Sequence, residues 1–133
     1  MEPGRGRIPQ LDTGELTESE LLQRHLTDAH VVKAFDNIFF RHLAVLARPA
    51  GAPDRSALPV AGDDAAAKNA VTALLDTLGY DTVDVGPLAE GRRFQPGTPA
   101  YGTPCLKDPH ARLREDPGSP AGLAELRRAL DAA

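Results

Sequence analysis

Two pairs of like-charged residues are the first candidates for chemistry in this sequence of 133 residues. Asp63 and Asp64 could serve as a general acid and a general base. They also directly precede an apolar helical pattern, where a carboxylate accepts free amide hydrogens and is favoured by the helix dipole, so N-capping is the simpler role. Arg92 and Arg93 could bind a carboxylate or phosphate in bidentate fashion, or they could be solvated at the surface.

The other reactive side chains form no catalytic pattern. The histidines and the single cysteine lack the spacing of metal ligands, so the sequence predicts no zinc or iron site. These residues are His25, His30, His42, Cys105 and His110. The sequence also has no GxSxG motif, which would supply the nucleophile of a serine hydrolase.

Three turns that follow predicted strands offer backbone atoms and small side chains as binding groups. The first turn spans residues 34–38, the second turn residues 61–63 and the third turn residues 86–88. Ligands of open α/β sheets bind at the carboxyl ends of the strands, where we expect all three turns to lie. An alternative interpretation is that the glycines and the proline of these turns only terminate strands. The candidate contact residues are Ala34, Phe35, Asn37, Ile38, Ala61, Gly62, Asp63, Gly86, Pro87 and Leu88.

A strand, a helix and a second strand position the last two turns. Residues 56–61 are short and apolar, as a buried strand is. Apolar residues at helical spacing then predict a helix from Ala65 to Leu78, and we expect Gly79 to end it in the left-handed conformation. Residues 80–85 predict the next strand. This stretch therefore predicts a βαβ unit with parallel strands.

The region before this unit predicts two further helices and one strand. Thr17 and Glu20 form a capping box for a helix that reaches about Leu26. Residues 30–35 predict a strand whose continuous apolar residues suit a parallel strand that is covered on both faces. Residues 37–47 predict a second helix with one apolar side.

The two ends of the chain differ in composition from this α/β region. Residues 1–14 are rich in glycine, proline and arginine and predict a flexible arm. Residues 95–118 are rich in proline and glycine and predict an irregular tail. Residues 119–133 predict a last helix that begins at Ser119 and Pro120 and carries a narrow stripe of leucines.

The composition excludes several classes of protein. The net charge of −4 argues against a general nucleic-acid surface. No apolar run approaches the roughly 20 residues that span a bilayer, and the first residues lack the apolar segment of a signal peptide. One cysteine cannot form an internal disulfide, which fits a reducing compartment. We therefore expect a cytoplasmic protein that binds neither nucleic acid nor membrane.

Three sequence blocks carry a resemblance to a known family. They are VVKAFDNIFF (residues 31–40), LPVAGDDAAAKNAV (residues 58–71) and DVGPLAEGRRFQ (residues 84–95). In this order and spacing they resemble the second half of the NADP oxidoreductases that reduce or oxidise the deazaflavin coenzyme F-420. They are similar, more distantly, to the reductase domains of the STEAP metalloreductases. The sequence departs from the family pattern at Asp36, where asparagine is usual, and at Arg92, where tryptophan is usual.

The resemblance implies a fold, a reaction and a binding site. The fold is α/β, with a partial Rossmann-type parallel sheet of about three strands and crossover helices, and residues 15–94 form the second half of the domain. The reaction is hydride transfer between NADP(H) and the deazaflavin, which needs no proton acceptor on the protein. The three turns would face the deazaflavin, and Arg93, beside Arg92, would suit its anionic tail.

The family's glycine-rich dinucleotide turn has no match here, because the sequence contains no GxGxxG motif. A truncated gene, a wrongly chosen start codon or a split protein would each produce such a sequence, and we do not expect the chain alone to bind NADP. Three hypotheses remain open. The chain is a truncated or split oxidoreductase, or a non-catalytic module that docks on a separate nucleotide-binding protein or on itself, or a degenerate fragment without function.

Overall fold

The computed structural model describes residues 16–35, 38, 40–101, 104–105, 107 and 116–133. The predicted α/β class is confirmed, and the three strands form one sheet of order β1–β2–β3. The predicted arm over residues 1–14 and the site candidate Asn37 lie outside the described residues. In chain order the elements are α1 (Glu18–His25), β1 (Val32–Lys33), α2 (Phe40–Val45), β2 (Ala57–Gly62), α3 (Ala65–Leu78), β3 (Asp81–Gly86), a 3₁₀ helix (Leu88–Phe94) and α4 (Leu123–Asp131).

The first helix, α1, has the capping box that the sequence predicts. The Thr17 hydroxyl accepts the amide hydrogen of Glu20 at 3.2 Å, and the Glu20 carboxylate accepts the amide hydrogen of Thr17 at 3.0 Å. The helix then ends at His25, close to the predicted limit. The longest helix in the described part of the chain is α3, with 14 residues, and none there is long and apolar enough to cross a membrane.

The predicted βαβ unit is confirmed, because β2 and β3 are parallel and α3 connects them. Asp64 caps α3, since its carboxylate accepts the amide hydrogen of Ala67 at 2.8 Å. Gly79 ends the helix with a left-handed φ of 110°. Both ends of α3 are thus fixed by local interactions that the sequence specifies.

The first strand, β1, differs from the prediction in length and direction. It contains two residues instead of the predicted residues 30–35. It pairs antiparallel with the carboxyl end of β2, with Val32 opposite Gly62 and Lys33 opposite Ala61. The prediction of an all-parallel sheet is therefore corrected to a mixed sheet.

The length of the connection between β1 and β2 gives a physical reason for this direction. A parallel β1 would need a connection that returns along the whole of β2, whose six residues span about 20 Å. The only helix that the structure describes in this connection, α2, has six residues and spans about 9 Å. An antiparallel β1 already runs toward the start of β2. Phe35, with a left-handed φ of 67°, ends the extended segment.

Both faces of the sheet are covered, which explains why β2 is buried along its whole length. Leu58 and Val60 pack in a cluster that includes the apolar side of α3. Ala57 and Ala61 point to the opposite face, where they pack against Phe94 and the leucines of α4. Alanine on this face leaves room for the 3₁₀ helix and α4 to approach the strand closely.

A 3₁₀ helix follows β3, where the sequence analysis predicts only the end of a strand and then an irregular tail. Its buried residues are Leu88, Gly91 and Phe94. They recur every three positions, which is the period of a 3₁₀ helix, so they share the face that contacts the sheet. This spacing is the sequence signal that could have predicted the element.

The last helix, α4, begins at Leu123 instead of the predicted Ser119 and Pro120. The backbone before it has other partners. The amide of Ser119 donates to the carbonyl of Cys105, and Ala121 forms two hydrogen bonds with the start of β2. These long-range bonds hold the segment extended, so the predicted N-cap is not used. The predicted stripe contributes Leu126 and Leu130 to the core, whereas Leu123 is exposed.

Candidate functional site

The second and third turns lie side by side at the carboxyl ends of β2 and β3. Ala61 is the partner of Gly86 in the parallel register. Asp63 bridges the two turns, because its Oδ1 accepts the amide hydrogen of Leu88 at 2.9 Å. We call this region, residues 61–63 with residues 86–88, the turn edge.

The neighbouring carboxylates Asp63 and Asp64 have different partners. Asp64 caps α3 through the amide of Ala67, whereas Asp63 reaches the amide of Leu88 in the third turn. Each carboxylate accepts a hydrogen bond from a backbone amide, which fixes its orientation. The contacts therefore support the N-cap interpretation for Asp64 and a bridging role for Asp63, and they give no evidence of general acid–base chemistry.

The two glycines of the turn edge serve different purposes. Gly86 has a left-handed φ of 113°, and among the described residues a Cβ there would meet only Glu90 Cγ, at 3.8 Å. Gly62 is not left-handed, and a Cβ there would lie 3.0 Å from Lys68 Cγ and 3.3 Å from Val32 Cγ2. A side chain at Gly62 would therefore meet side chains of this chain first, and contact of Gly62 with a ligand stays a prediction.

Lys68 and Asp84 form an ion pair beside the turn edge that the sequence analysis missed. Lys68 Nζ lies 3.0 Å from Asp84 Oδ1 and donates to the carbonyl of Gly86 at 3.4 Å. Asp84 Oδ1 also accepts the amide hydrogen of Gly86 at 2.9 Å. An ion pair with an exposed carboxylate adds little stability, so its main effect is to fix the backbone of the third turn. The available sequence signal was a lysine in the first turns of α3 and an acid near the end of β3.

The described residues of the first turn, Ala34, Phe35 and Ile38, lie away from the turn edge, which corrects the prediction that all three turns share one edge. Because β1 is antiparallel to β2, its carboxyl end points toward the amino end of β2. Ala34 and Phe35 pack against the core cluster on the α3 side of the sheet, and Ile38 is buried in it. Instead, the residue before β1 adjoins the turn edge, since Val31 O would lie 3.4 Å from a Cβ on Gly62.

The arginine pair diverges, and each guanidinium contacts another part of the chain. Arg92 Nη2 lies 3.2 Å from Glu90 Oε1. Arg93 donates to the carbonyl of Leu130 at 3.3 Å and to Asp131 Oδ1 at 3.0 Å. Arg93 thus binds the carboxyl end of α4, where the helix dipole favours a cation. An external anion would have to displace these contacts.

The histidines and the cysteine that the structure describes do not form a metal site, and no group of three potential ligands occurs within that part of the chain. Burial raises the pKa of the Cys105 thiol to about 11, which disfavours thiolate chemistry near neutral pH. His42 is buried, and its Nε2 donates to the carbonyl of Asp116 at 2.9 Å. His110 lies outside the described residues.

Two cavities lie apart from the turn edge. One of about 530 Å³ lies between the start of α1, Lys33 and residues 95–101. Another of about 480 Å³ borders α3 and the start of β3, near Asp76 and Asp81. No residue of the second or third turn lines either cavity, so neither of them encloses the turn edge.

Comparisons with known proteins cover only part of the chain. No family model matches it. The chain is 43% identical over 53 residues to the protein YjhV of Escherichia coli (strain K12), a match that covers 40% of this chain and 39% of that protein. A crystal structure of a candidate F-420-dependent NADP reductase from Arthrobacter sp. FB24 aligns with a TM-score of 0.48 at 36% identity. That alignment covers 56% of this chain and 33% of the solved chain.

Proposed function

We propose that this chain supplies the deazaflavin side of an NADP oxidoreductase, and that the coenzyme binds at the turn edge. The observation that carries the proposal is the bridge between the two turns, in which Asp63 holds the amide of Leu88. Ligands of open α/β sheets bind at such carboxyl ends of parallel strands. The family resemblance supports the same assignment, because two of its three sequence blocks contain these turns.

Gly86 and Pro87 suit a flat ring system better than the rest of the turn edge. No atom of the described residues would lie closer than 3.8 Å to a Cβ on Gly86, and Pro87 is exposed. A backbone without a side chain and a rigid pyrrolidine ring form a surface that loses little conformational freedom on binding. The ring would therefore lie against the third turn, since Lys68 and Val32 lie closer to Gly62 than Glu90 does to Gly86.

The coenzyme would supply the redox chemistry, and the chain would hold the coenzyme ring in the position that hydride transfer requires. When bound, the deazaflavin gives or takes a hydride, the nicotinamide of NADP undergoes the opposite change, and the remaining proton exchanges with water. Because the hydride passes directly between two rings, no side chain has to accept a proton. Asp63 contributes by keeping the third turn fixed relative to the second, so that the surface is formed before the coenzyme arrives.

In this proposal, NADP is held by a nucleotide-binding unit outside these 133 residues, which contain no glycine-rich dinucleotide turn. That unit would place the nicotinamide against the deazaflavin at the turn edge. Arg93 could bind the anionic tail of the coenzyme only after leaving Asp131 and the end of α4. Lys68 is a cation that contacts the third turn directly, because its Nζ donates to the carbonyl of Gly86 at 3.4 Å.

The proposal is tested by titrating coenzyme F-420 into the full chain by calorimetry, with two matched variants. Pro87→Glu adds a negative charge to the third turn, and Pro53→Glu adds the same charge to an exposed loop before β2. We expect saturable binding to the unaltered chain. Pro87→Glu should weaken it at least tenfold through charge repulsion and lost ring contact, while Pro53→Glu should leave it unchanged. Absence of binding to the unaltered chain, or equal affinities of the two variants, would contradict the proposal.

The alternative function, a non-catalytic interaction module, is favoured by one surface feature. Leu74 and Leu78 lie one turn apart on α3 and are 51% and 46% exposed. Aligned apolar residues at the surface are typical of protein-binding faces. Light scattering of the chain over a range of concentrations distinguishes the two functions. Association that Leu74→Lys abolishes, together with no binding of F-420, would favour the module.

A further inference from the structure

The side chain of Lys33 connects β1 to the 3₁₀ helix that follows the third turn. Its backbone is paired with Ala61, the first residue of the second turn. Its Nζ donates to the carbonyl of Gly91 at 3.0 Å and lies 4.6 Å from the centre of the Phe94 ring. The side chain of Lys33 therefore joins β1, which lies beside the second turn, to the 3₁₀ helix, which begins at the last residue of the third turn.

The fit between Lys33 and the 3₁₀ helix is close. Gly91 is buried, and a Cβ there would lie 2.9 Å from Lys33 Cδ. Phe94 is fully buried, so its ring is held still beneath the ammonium group. A partly buried ammonium needs such partners, because loss of water contacts without replacement is costly.

The 3₁₀ helix is thus held at two places. At its start, Asp63 binds the amide of Leu88. Further along, Lys33 binds the carbonyl of Gly91 and covers the ring of Phe94. Both Asp63 and Lys33 are themselves tied to the second turn, Asp63 as a member and Lys33 through strand pairing. Together with the pairing of Ala61 and Gly86, the two contacts hold the 3₁₀ helix against the second turn.

We propose that Lys33 is a positioning residue for the turn edge, which keeps the third turn in the orientation that receives the deazaflavin. This inference rests on the proposed function for its consequence in binding. Its structural content, the fixing of the 3₁₀ helix against β1, can be measured without any ligand. A side chain that acts only on overall stability would change the melting temperature and leave affinity at a permissive temperature unchanged.

The first test compares Lys33→Met, Lys33→Arg and a control, Tyr80→Phe. Methionine keeps an apolar stem but removes the ammonium group, whereas arginine keeps a cation for the carbonyl and the ring. The control removes a buried hydroxyl that donates to the carbonyl of Leu43, at the opposite end of β3. At a temperature where all are folded, we expect Lys33→Met to weaken F-420 binding about tenfold. Lys33→Arg and the control should stay within about threefold of the unaltered chain.

The second test uses the close contact between Lys33 and Gly91. Gly91→Ala should displace the lysine stem and weaken F-420 binding as Lys33→Met does. The two changes combined should weaken it by less than the product of the two separate effects, because both remove the contact between Lys33 Nζ and Gly91. Full additivity of the two effects would overturn the inference that Lys33 acts through Gly91.

Amide hydrogen exchange without ligand separates this inference from the proposed function. In Lys33→Met we expect exchange at the amides of Leu88 and Glu90 to be at least tenfold faster than in the control Tyr80→Phe. Unchanged exchange at these amides would overturn the positioning role, whatever the chain binds. Suppose instead that exchange is faster in Lys33→Met, but the unaltered chain does not bind F-420. The proposed function would then be wrong, while the positioning of the 3₁₀ helix by Lys33 would still hold.

Discussion

Among single residues, Gly86 determines the shape of the third turn. Its φ of 113° lies in a region that residues with a side chain rarely adopt. Its amide donates to Asp84 Oδ1, and its partner in β2 is Ala61, so β3 ends and the turn begins at the same residue. A glycine before proline predicts a strand end, but it does not reveal the backbone angle. Gly62 also stands at the end of a predicted strand, yet it is not left-handed.

Replacing Gly86 with alanine should destabilise the chain and weaken coenzyme binding. Gly51→Ala is the matched control, because Gly51 also has a positive φ, of 80°, and a Cβ there meets no atom of the described residues within 4 Å. Each change should lower the free energy of unfolding by about 1–2 kcal/mol through backbone strain. Urea unfolding measures this loss, and titration with F-420 measures binding. If Gly86→Ala binds the coenzyme as tightly as Gly51→Ala does, the third turn is not part of the site.

The ionisation of two buried side chains, Cys105 and Tyr80, should lower the stability of the fold at high pH. Burial raises the pKa of the Cys105 thiol to about 11 and that of the Tyr80 hydroxyl to about 12. Both groups are neutral in the folded chain and ionise more readily when unfolded. Their stabilisation is therefore complete below about pH 9 and is lost as the pH rises toward 11 for the thiol and 12 for the hydroxyl.

Unfolding by urea at pH 8 and pH 11 checks this expectation. From its pKa shift, Cys105 alone should account for a loss of about 2 kcal/mol between these values. Cys105→Ser removes that titration, so its stability should fall by less over the same interval, whatever its stability at pH 8. An equal fall in both proteins would show that the thiol is not held neutral by burial.

Among the elements, α1 and α3 have local end signals that the sequence predicts correctly. The ends of α3 follow from Asp64 and Gly79, and the start of α1 follows from its capping box. The direction of β1 and the start of α4 depend instead on contacts between distant residues. Such contacts include the pairing of Lys33 with Ala61 and the bonds from residues 119–121 to Cys105 and the start of β2. Periodicity within a segment carries no information about them.

The neighbours Asp63 and Asp64 should have separable effects. Asp64→Ala should cost about 1 kcal/mol of unfolding free energy through the lost N-cap and leave F-420 affinity unchanged. Asp63→Ala should instead weaken binding several-fold, because it frees the amide of Leu88 and with it the third turn. Asp63→Asn, which keeps an acceptor oxygen without the charge, should bind like the unaltered chain. Urea unfolding measures the free energy of unfolding, and calorimetry measures F-420 affinity. If Asp64→Ala weakens binding and Asp63→Ala does not, the bridging role of Asp63 is excluded.

For the molecule as a whole, the direction of each strand decides which turns can cooperate. The βαβ pattern predicts that β2 and β3 are parallel, and the second and third turns are accordingly adjacent. The first turn could not be placed from sequence, because its location depends on the antiparallel pairing of a strand of two residues. Lys33 escaped prediction for a related reason. Its role depends on a 3₁₀ helix that lies 58 positions further along the chain at Gly91.

The chain alone should bind F-420 without binding NADP. Its described strand–turn–helix unit, from β2 to α3, differs from a dinucleotide site in the groups at the start of the helix. A pyrophosphate needs free amide hydrogens there, and Asp64 already accepts the amide of Ala67. The carboxylates of Asp63 and Asp64 would also repel the phosphates at this point.

Calorimetric titration with NADP and with NADPH tests this expectation at the salt concentration used for F-420. We expect no saturable binding of either nucleotide, which corresponds to a dissociation constant weaker than about 1 mM. Asp64→Ala serves as a control, because it removes one carboxylate and frees one amide at the start of α3. A gain in nucleotide binding by this variant would show that the acid blocks an anion site. Micromolar binding by the unaltered chain would mean that the nucleotide is held elsewhere on these 133 residues, and the division of labour proposed for the oxidoreductase would be wrong.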